Sequence, residues 1–427
     1  VQSFPLSLAS LQRTTLTFPQ TLVIPNNNET LRVWVNAVNG AGDANASNDT
    51  LSQLICLPLA AGAYQLGTPT ADFPTWQHLI DRISCSGISG NVLIQVASGT
   101  YQGPFRFGNI LGSGTGGSLN FSPTTGILGD VILLGTPVEE ALSFNGTNGV
   151  SVNNLRFVRR VTNTATVPLL LSNGGSNIVF SNLAFVDSVR ATSANNQALA
   201  VEGGSGVSVT GCSFIGFSDA LRFNASSANP GLGHTAQGNR FEQYLLHGIW
   251  ASQQNSLQLL QNRMVDFRGA TNTGAGILVQ NIRASVVNGN RIGGDLPRSG
   301  IDIINANLGL LGEANVVSNN EISGRTHIGS GNTGVSRGVL ITGSTTDGRD
   351  ALQFVHNSIS FVPRGTSTAN GQALLVVDGG TTTTQPFEQL TIANNMLVEP
   401  ALGSQSPTNF SILSFTNRAT VDSTLFL

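Results

Sequence analysis

The apolar positions of this chain repeat on two scales. Over a few residues they alternate with polar ones, the period of a strand. Over a few dozen residues a short phrase returns: "NNLRF", "SNLAF", "TGCSF", "QGNRF", "LQNRM", "NGNRI", "SNNEI", "VHNSI" and "ANNML". Its third residue is Leu155, Leu183, Cys212, Asn239, Asn262, Asn290, Asn320, Asn357 and Asn395 in turn, at spacings of 23 to 38 residues. The last six are all Asn, and an apolar residue follows two positions later each time. A repeat of this length is the mark of a solenoid.

Upstream of each phrase runs a second apolar segment, such as "ALAVEGG", "GIWASQ", "GILVQN", "GIDIIN" and "ALLVVDG". These segments are β-rich and close on Gly, Asn or Gln, so they read as strands ending in turns. Alternation assigns Leu199/Val201, Leu221/Phe223, Ile249/Ala251, Ile277/Val279, Ile301/Ile303 and Val339/Ile341 to an inward face. It assigns Ser143, Leu170, Ala200, Arg222, Trp250, Leu278, Asp302, Leu340 and Leu375 to an outward one. Each period is then strand, turn, strand, bend, strand. One such unit cannot bury its apolar face, whereas a stack of them builds a continuous core. Asn tolerates left-handed backbone, which would explain it at a sharp bend. Stacked about 4.8 Å apart, each amide of Asn239, Asn262, Asn290, Asn320, Asn357 and Asn395 can donate to the next, forming a ladder.

In these repeats the chain resembles the right-handed parallel β-helix of pectin-lyase-like proteins, over roughly residues 60–427. The expected fold class is all-β: a right-handed parallel β-helix solenoid over 91–427, preceded by a junction and capping helix over 56–90. Within the junction, Trp76, Leu79, Ile80 and Ile83 stand at helical spacing, followed by "NVLIQVASGTYQG". Residues 1–55 alternate like the closing strands of an Ig-like β-sandwich. The junction, "NDTL" then "CLPLAAGAY", resembles large Bacteroidota surface proteins exported by the type IX system, where an Ig-like module feeds a β-helix. That resemblance implies a longer parent polypeptide, whose other domains are the expected partners, and an extracellular, cell-surface location. Cys56 and Cys85 flank the capping helix, and a bridge between them is expected in an exported protein. The alternative is two separate buried thiols.

Composition narrows the function. Of 427 residues, 10% are charged, and all 20 basic ones are Arg. The net charge of −3 favours neither nucleic acid nor an anionic membrane surface. No apolar run reaches the length of a membrane helix, so no membrane insertion is expected. The five histidines, His78, His234, His247, His327 and His356, show no metal-ligand spacing. No metal and no cofactor are expected.

The outward stripe offers Arg222 with Trp250 as a sugar-stacking platform, and Asp302 three coils from Arg222. Glu202, one coil before Arg222, suits an ion pair. Arg240, Arg263 and Arg291 follow the bend on successive coils, with Glu321 next. Such a row can grip an acidic glycan or cap turn carbonyls and end on Glu321. No paired acids appear on the mapped strands, so no catalytic residue is assigned. The reading is a non-catalytic stalk or adhesin segment that binds surface glycans. The alternative is a polysaccharide lyase or glycoside hydrolase, with loop acids such as Asp347 and Asp350 completing its site.

Overall fold

A computed structural model of the chain describes residues 29–34, 50–160, 167–189, 196–268, 274–296, 298–307, 313–326, 337–343, 350–362, 372–378, 387–398, 410–416 and 424–426. The chain divides into two units, 1–57 and 58–427. In the first, strands Glu29–Trp34 and Thr50–Ile55 pair antiparallel, Glu29 opposite Ile55. The rest of the segment expected to be Ig-like lies outside the described residues.

The second unit is a right-handed parallel β-helix. Each coil lays one strand on each of three faces, and each strand pairs in parallel with its counterpart one coil on. The first face includes Leu142–Asn145, Val167–Asn173, Asn196–Glu202, Asp219–Asn224, His247–Asn255, Ala275–Arg283, Ser299–Asn307, Arg337–Thr342 and Gln372–Asp378. The second precedes the bend, as in Thr235–Gln237 and Gln258–Leu260. The third follows it, as in Arg240–Glu242 and Arg263–Val265. The right-handed crossover is the one a twisted parallel sheet permits.

In-register stacking makes the core a set of columns. On the first face Leu199, Leu221, Ile249, Ile277, Ile301 and Val339 lie one above another, all fully buried. On the third face Phe157, Phe185, Phe214 and Phe241 stack with centroids 5.0, 4.8 and 4.8 Å apart. Met264, Ile292, Ile322, Ile359 and Leu397 continue that column. These are the apolar residues two positions after each bend, so the repeated phrase records a core column.

The outward stripe needs correction at two coils. Leu170 registers with Leu142 and Leu199, and Leu375 with Val339, so both point inward. Leu171 and Val376 take the outward places. In "PLLLSNG" and "ALLVVDG" consecutive apolar residues hide the phase, and a one-residue slip flips the face. The outward side is also less wet than alternation suggests. Ser143, Ala200, Asp302, Leu340 and Val376 are buried, and the last two form a small separate apolar cluster.

The bend is corrected too. The left-handed residue is the one before each key position: Asn154, Asn182, Gly211, Gly238, Gln261, Gly289, Asn319, His356 and Asn394, with φ between 50° and 68°. The key Asn residues keep ordinary backbone and serve through their side chains. Each Nδ2 donates to the next Oδ1: Asn239 to Asn262 at 2.9 Å, then to Asn290 at 3.0 Å, Asn320 at 2.9 Å, Asn357 at 2.9 Å and Asn395 at 3.0 Å. Each Oδ1 also accepts the backbone N–H of the preceding Asn, as in Asn262 N to Asn290 Oδ1 at 3.0 Å. Each Nδ2 also donates to a second-face carbonyl, as Asn290 does to Leu259 O at 2.9 Å.

The helix Trp76–Ser86 covers the first coils. Thr75 caps it by accepting from His78 N, and Gly87, at φ 75°, ends it. Trp76, Leu79 and Ile83 are its buried face. Trp76 stacks on Phe105 at 4.6 Å and on Phe121 at 5.7 Å. The helix thereby shields apolar edges that a further coil would cover elsewhere.

Candidate functional site

Polar chemistry gathers on the outward side of the first face, where Asp219–Asn224, His247–Asn255, Ala275–Arg283 and Ser299–Asn307 run side by side. Register sets Arg222 directly beside Trp250. The guanidinium carbon lies 4.4 Å from the indole centroid, a close cation–π contact. Both side chains are half-buried. Flat guanidinium on flat indole leaves an apolar plane edged by donors, a surface suited to a sugar ring.

Next to this platform Asp219 and His247 register with each other and meet at 2.7 Å between Oδ1 and Nδ1. Asp302 lies three coils from Arg222 in the same column, with Leu278 between it and Trp250. The residue is 3% exposed. Oδ2 meets Arg298 at 3.4 Å, while Oδ1 has no hydrogen-bond partner among the described residues. Burial pushes this carboxyl above the usual carboxylate range, against the pull of the Ser299 hydroxyl and then of Arg298, Arg337 and His247. Burial beside Arg298 in turn pulls the Arg337 guanidinium down.

The spacing of the acids limits what this face can do. Asp219 and Asp302 are separated by three coils, roughly 14 Å. Glycosidases work with carboxyl pairs about 5–5.5 or 6.5–9.5 Å apart. No cluster of three or more His, Cys, Asp or Glu able to hold a metal occurs among the described residues. Among the described residues this face offers one aromatic plane, several guanidiniums and a His–Asp pair.

The other expected residues fall elsewhere. Arg240, Arg263 and Arg291 stack in register on the third face, exposed, and Glu321 follows them. Arg240 pairs with Glu242, and Arg291 with Glu321 at 3.4 Å. Arg263 alone has no acidic partner among the described residues, so the row is largely self-neutralised. Glu202 registers with Asn224, not with Arg222, and makes no ion pair with Arg222. Cys212 fills the ladder slot as a buried free thiol, while Cys56 and Cys85 are disulfide-bonded. Asp347 and His327 lie outside the described residues, and Asp350 starts a second-face strand, Asp350–Val355.

Sequence reasoning passed over Asp219, His247, Arg298 and Arg337. The available signal was positional, since Asp219, His247, Ser299 and Arg337 share one register column with Ala275. That column precedes each inward apolar residue by two positions.

No protein-family model matches this chain, and no curated protein is similar to it. Solved structures of similar course include the DFA-IIIase of Arthrobacter chlorophenolicus, at 12% identity and TM-score 0.48, covering 82% of this chain and 86% of that one. A lacto-N-biosidase from Eubacterium ramulus also has 12% identity and TM-score 0.48, covering 86% of this chain and 66% of that one. A PL6 family polysaccharide lyase from Pseudopedobacter saltans has 13% identity and TM-score 0.46, covering 81% and 92%. No helix among the described residues is long and apolar enough to cross a membrane.

Proposed function

We propose that this chain is a β-helical segment of an extracellular surface protein that binds glycan through the Arg222–Trp250 platform and does not turn it over. The observation that carries the proposal is the guanidinium stacked 4.4 Å over a half-buried indole, on a face where Asp219 and Asp302 stand three coils apart. Secretion fits the disulfide-bonded Cys56 and Cys85, because such bonds persist in oxidising compartments. Export by the type IX route, and other domains of one long polypeptide as partners, belong to this same proposal.

The test measures binding and turnover together. Wild-type protein is titrated with pectate, alginate, chondroitin and xylan oligosaccharides, and the same mixtures are assayed for new reducing ends and unsaturated products. Binding that Trp250→Ala weakens about tenfold, the equivalent of about 1.4 kcal/mol, with no product formed, supports the proposal. Unchanged binding by Trp250→Ala sinks the platform.

One observation favours an enzymatic second reading: the buried Asp302 carboxyl, held above its usual range with an unpartnered Oδ1. Burial favours the protonated form of such a group, as a general acid requires. Product formation that Asp302→Asn abolishes would make the chain a glycosidase or lyase instead.

A further inference from the structure

We propose that the corner where His247–Asn255, Ala275–Arg283 and Ser299–Asn307 leave the first face binds a single carboxylated sugar unit. A pocket of about 180 Å³ opens there. That is below the roughly 300–1,000 Å³ of pockets for drug-sized ligands, so it suits one sugar ring and not a chain.

The lining is built by register. Asn255, Arg283 and Asn307 occupy one column on three successive coils, so a guanidinium sits between two amides. Gln253 and Asn281 supply a second row, and Ser227 with Pro230 closes one wall. No acidic residue lines the pocket. Arg283 makes no ion pair among the described residues, so its charge is left for an outside anion. Guanidinium matches carboxylate geometry in a two-pronged way. The amides alternate donors and acceptors, the pattern that hydroxyls satisfy.

The corner is also held rigid. Gln253, Asn281 and Asn305 all take left-handed backbone, with φ of 57°, 52° and 55°. Asn305 Nδ2 donates to Asn281 Oδ1 at 2.9 Å, tying two of these coils together. A second left-handed residue follows three positions on, Ser256 at φ 55° and Ala284 at φ 47°. Alanine rarely adopts that conformation, and strained backbone persists where the surroundings over-determine it. Two bends in succession turn the strands His247–Asn255 and Ala275–Arg283 around the pocket, and pairing to neighbouring coils fixes the spacing of its polar groups. The site thus comes preorganised, which lowers the cost of binding a small ligand. A neutral sugar would leave Arg283 unmatched, and a bare anion would leave the amides unmatched.

This site shares no residue with the Arg222–Trp250 platform, so the two stand or fall separately. Its test is calorimetric titration at low salt with galacturonate, galactose and acetate. The expected result is binding of galacturonate alone, weakened tenfold or more by Arg283→Gln, unaltered by Trp250→Ala and reduced by added salt. Asn255→Asp places a carboxylate beside Arg283 and is expected to abolish binding in a chain whose circular dichroism is unchanged. That variant decides the matter if Arg283→Gln does not fold. Equal binding of galactose, equal binding of acetate, no binding of galacturonate, or binding retained by the Arg283→Gln or Asn255→Asp chain overturns the assignment.

Discussion

Replacing Asn290 by Leu removes one rung of the amide ladder while nearly conserving side-chain volume. Leu155 and Leu183 occupy the same slot in earlier coils and are buried there, so the site accepts the shape. Five hydrogen bonds disappear: Asn262 N and Asn262 Nδ2 to Asn290 Oδ1, and Asn290 Nδ2 to Asn320 Oδ1, to Leu259 O and, at 3.3 Å, to Asn288 O. Two groups recover. Asn262 Nδ2 keeps Ala236 O, and Asn320 Oδ1 keeps the backbone N–H of residue 290. The Asn262 N–H and the Leu259 carbonyl lose their amide partner inside a dry core. Each orphan costs about 1–3 kcal/mol, and burying the leucine returns about 1.5–3 kcal/mol. The net loss expected is about 1–3 kcal/mol. Urea unfolding of wild type and variant measures it, and hydrogen exchange at the Asn262 amide localises it. Stability within about 0.5 kcal/mol of wild type, with Asn262 still fully protected, would refute the idea that the ladder is bonded on both sides.

Cys212→Asn should extend the same ladder: Cys212 N already donates to Asn239 Oδ1 at 2.9 Å, and the thiol makes only long contacts of 3.5 Å from Leu183 N and 3.6 Å to Phe180 O. The thiol's further contact, 3.5 Å to Thr210 O, is equally long, so a gain of about 1 kcal/mol is expected in urea unfolding, and a loss of similar size would contradict it. Burial lowers the His234 pKa from 6.5 to about 4. The unfolded chain therefore binds more protons between these values, so stability is full above pH 6.5 and falls as pH drops toward 4, by up to about 3 kcal/mol. A His234→Gln chain should lose that step in its stability–pH curve. Gly238→Ala places a methyl group in open space but at φ 64°, so it should cost about 1–2 kcal/mol from backbone strain alone, seen as a lower denaturation midpoint.

The fold was legible because stacking writes itself into sequence at a fixed offset. Asn290 and Ile292, or Asn320 and Ile322, name a ladder and a core column in one phrase. Legibility failed where that offset carried no contrast. Three leucines at 169–171 gave no phase, so Leu170 was put on the wrong side. The left-handed conformation was credited to Asn290, although Gly289 one position earlier adopts it. Both residues are turn formers, and only the hydrogen bonds tell them apart. Arg222 and Trp250 could be paired by counting coils, and they do meet. The His247–Asp219 pair was missed because two residues 28 apart look unrelated until register is known. The Arg283 pocket was missed for another reason. It is made by left-handed bends inside long strands, at Gln253 and Asn281, and the strand pattern that runs through both residues hides the bends.

The amide ladder has one more consequence. Asn239 and Asn262 are 23 residues apart and Asn357 and Asn395 are 38 apart, yet their Nδ2–Oδ1 distances are 2.9 and 3.0 Å. Fifteen additional residues change the circumference of a coil without changing the pitch of the stack. Loop closure grows only logarithmically with length, so the added chain strains nothing it is joined to. Each corner of this molecule is accordingly an independent slot for variation, insulated from the scaffold that carries it. A lineage could exchange the decoration on one coil, or an engineer could graft onto it, while every neighbouring coil kept its geometry.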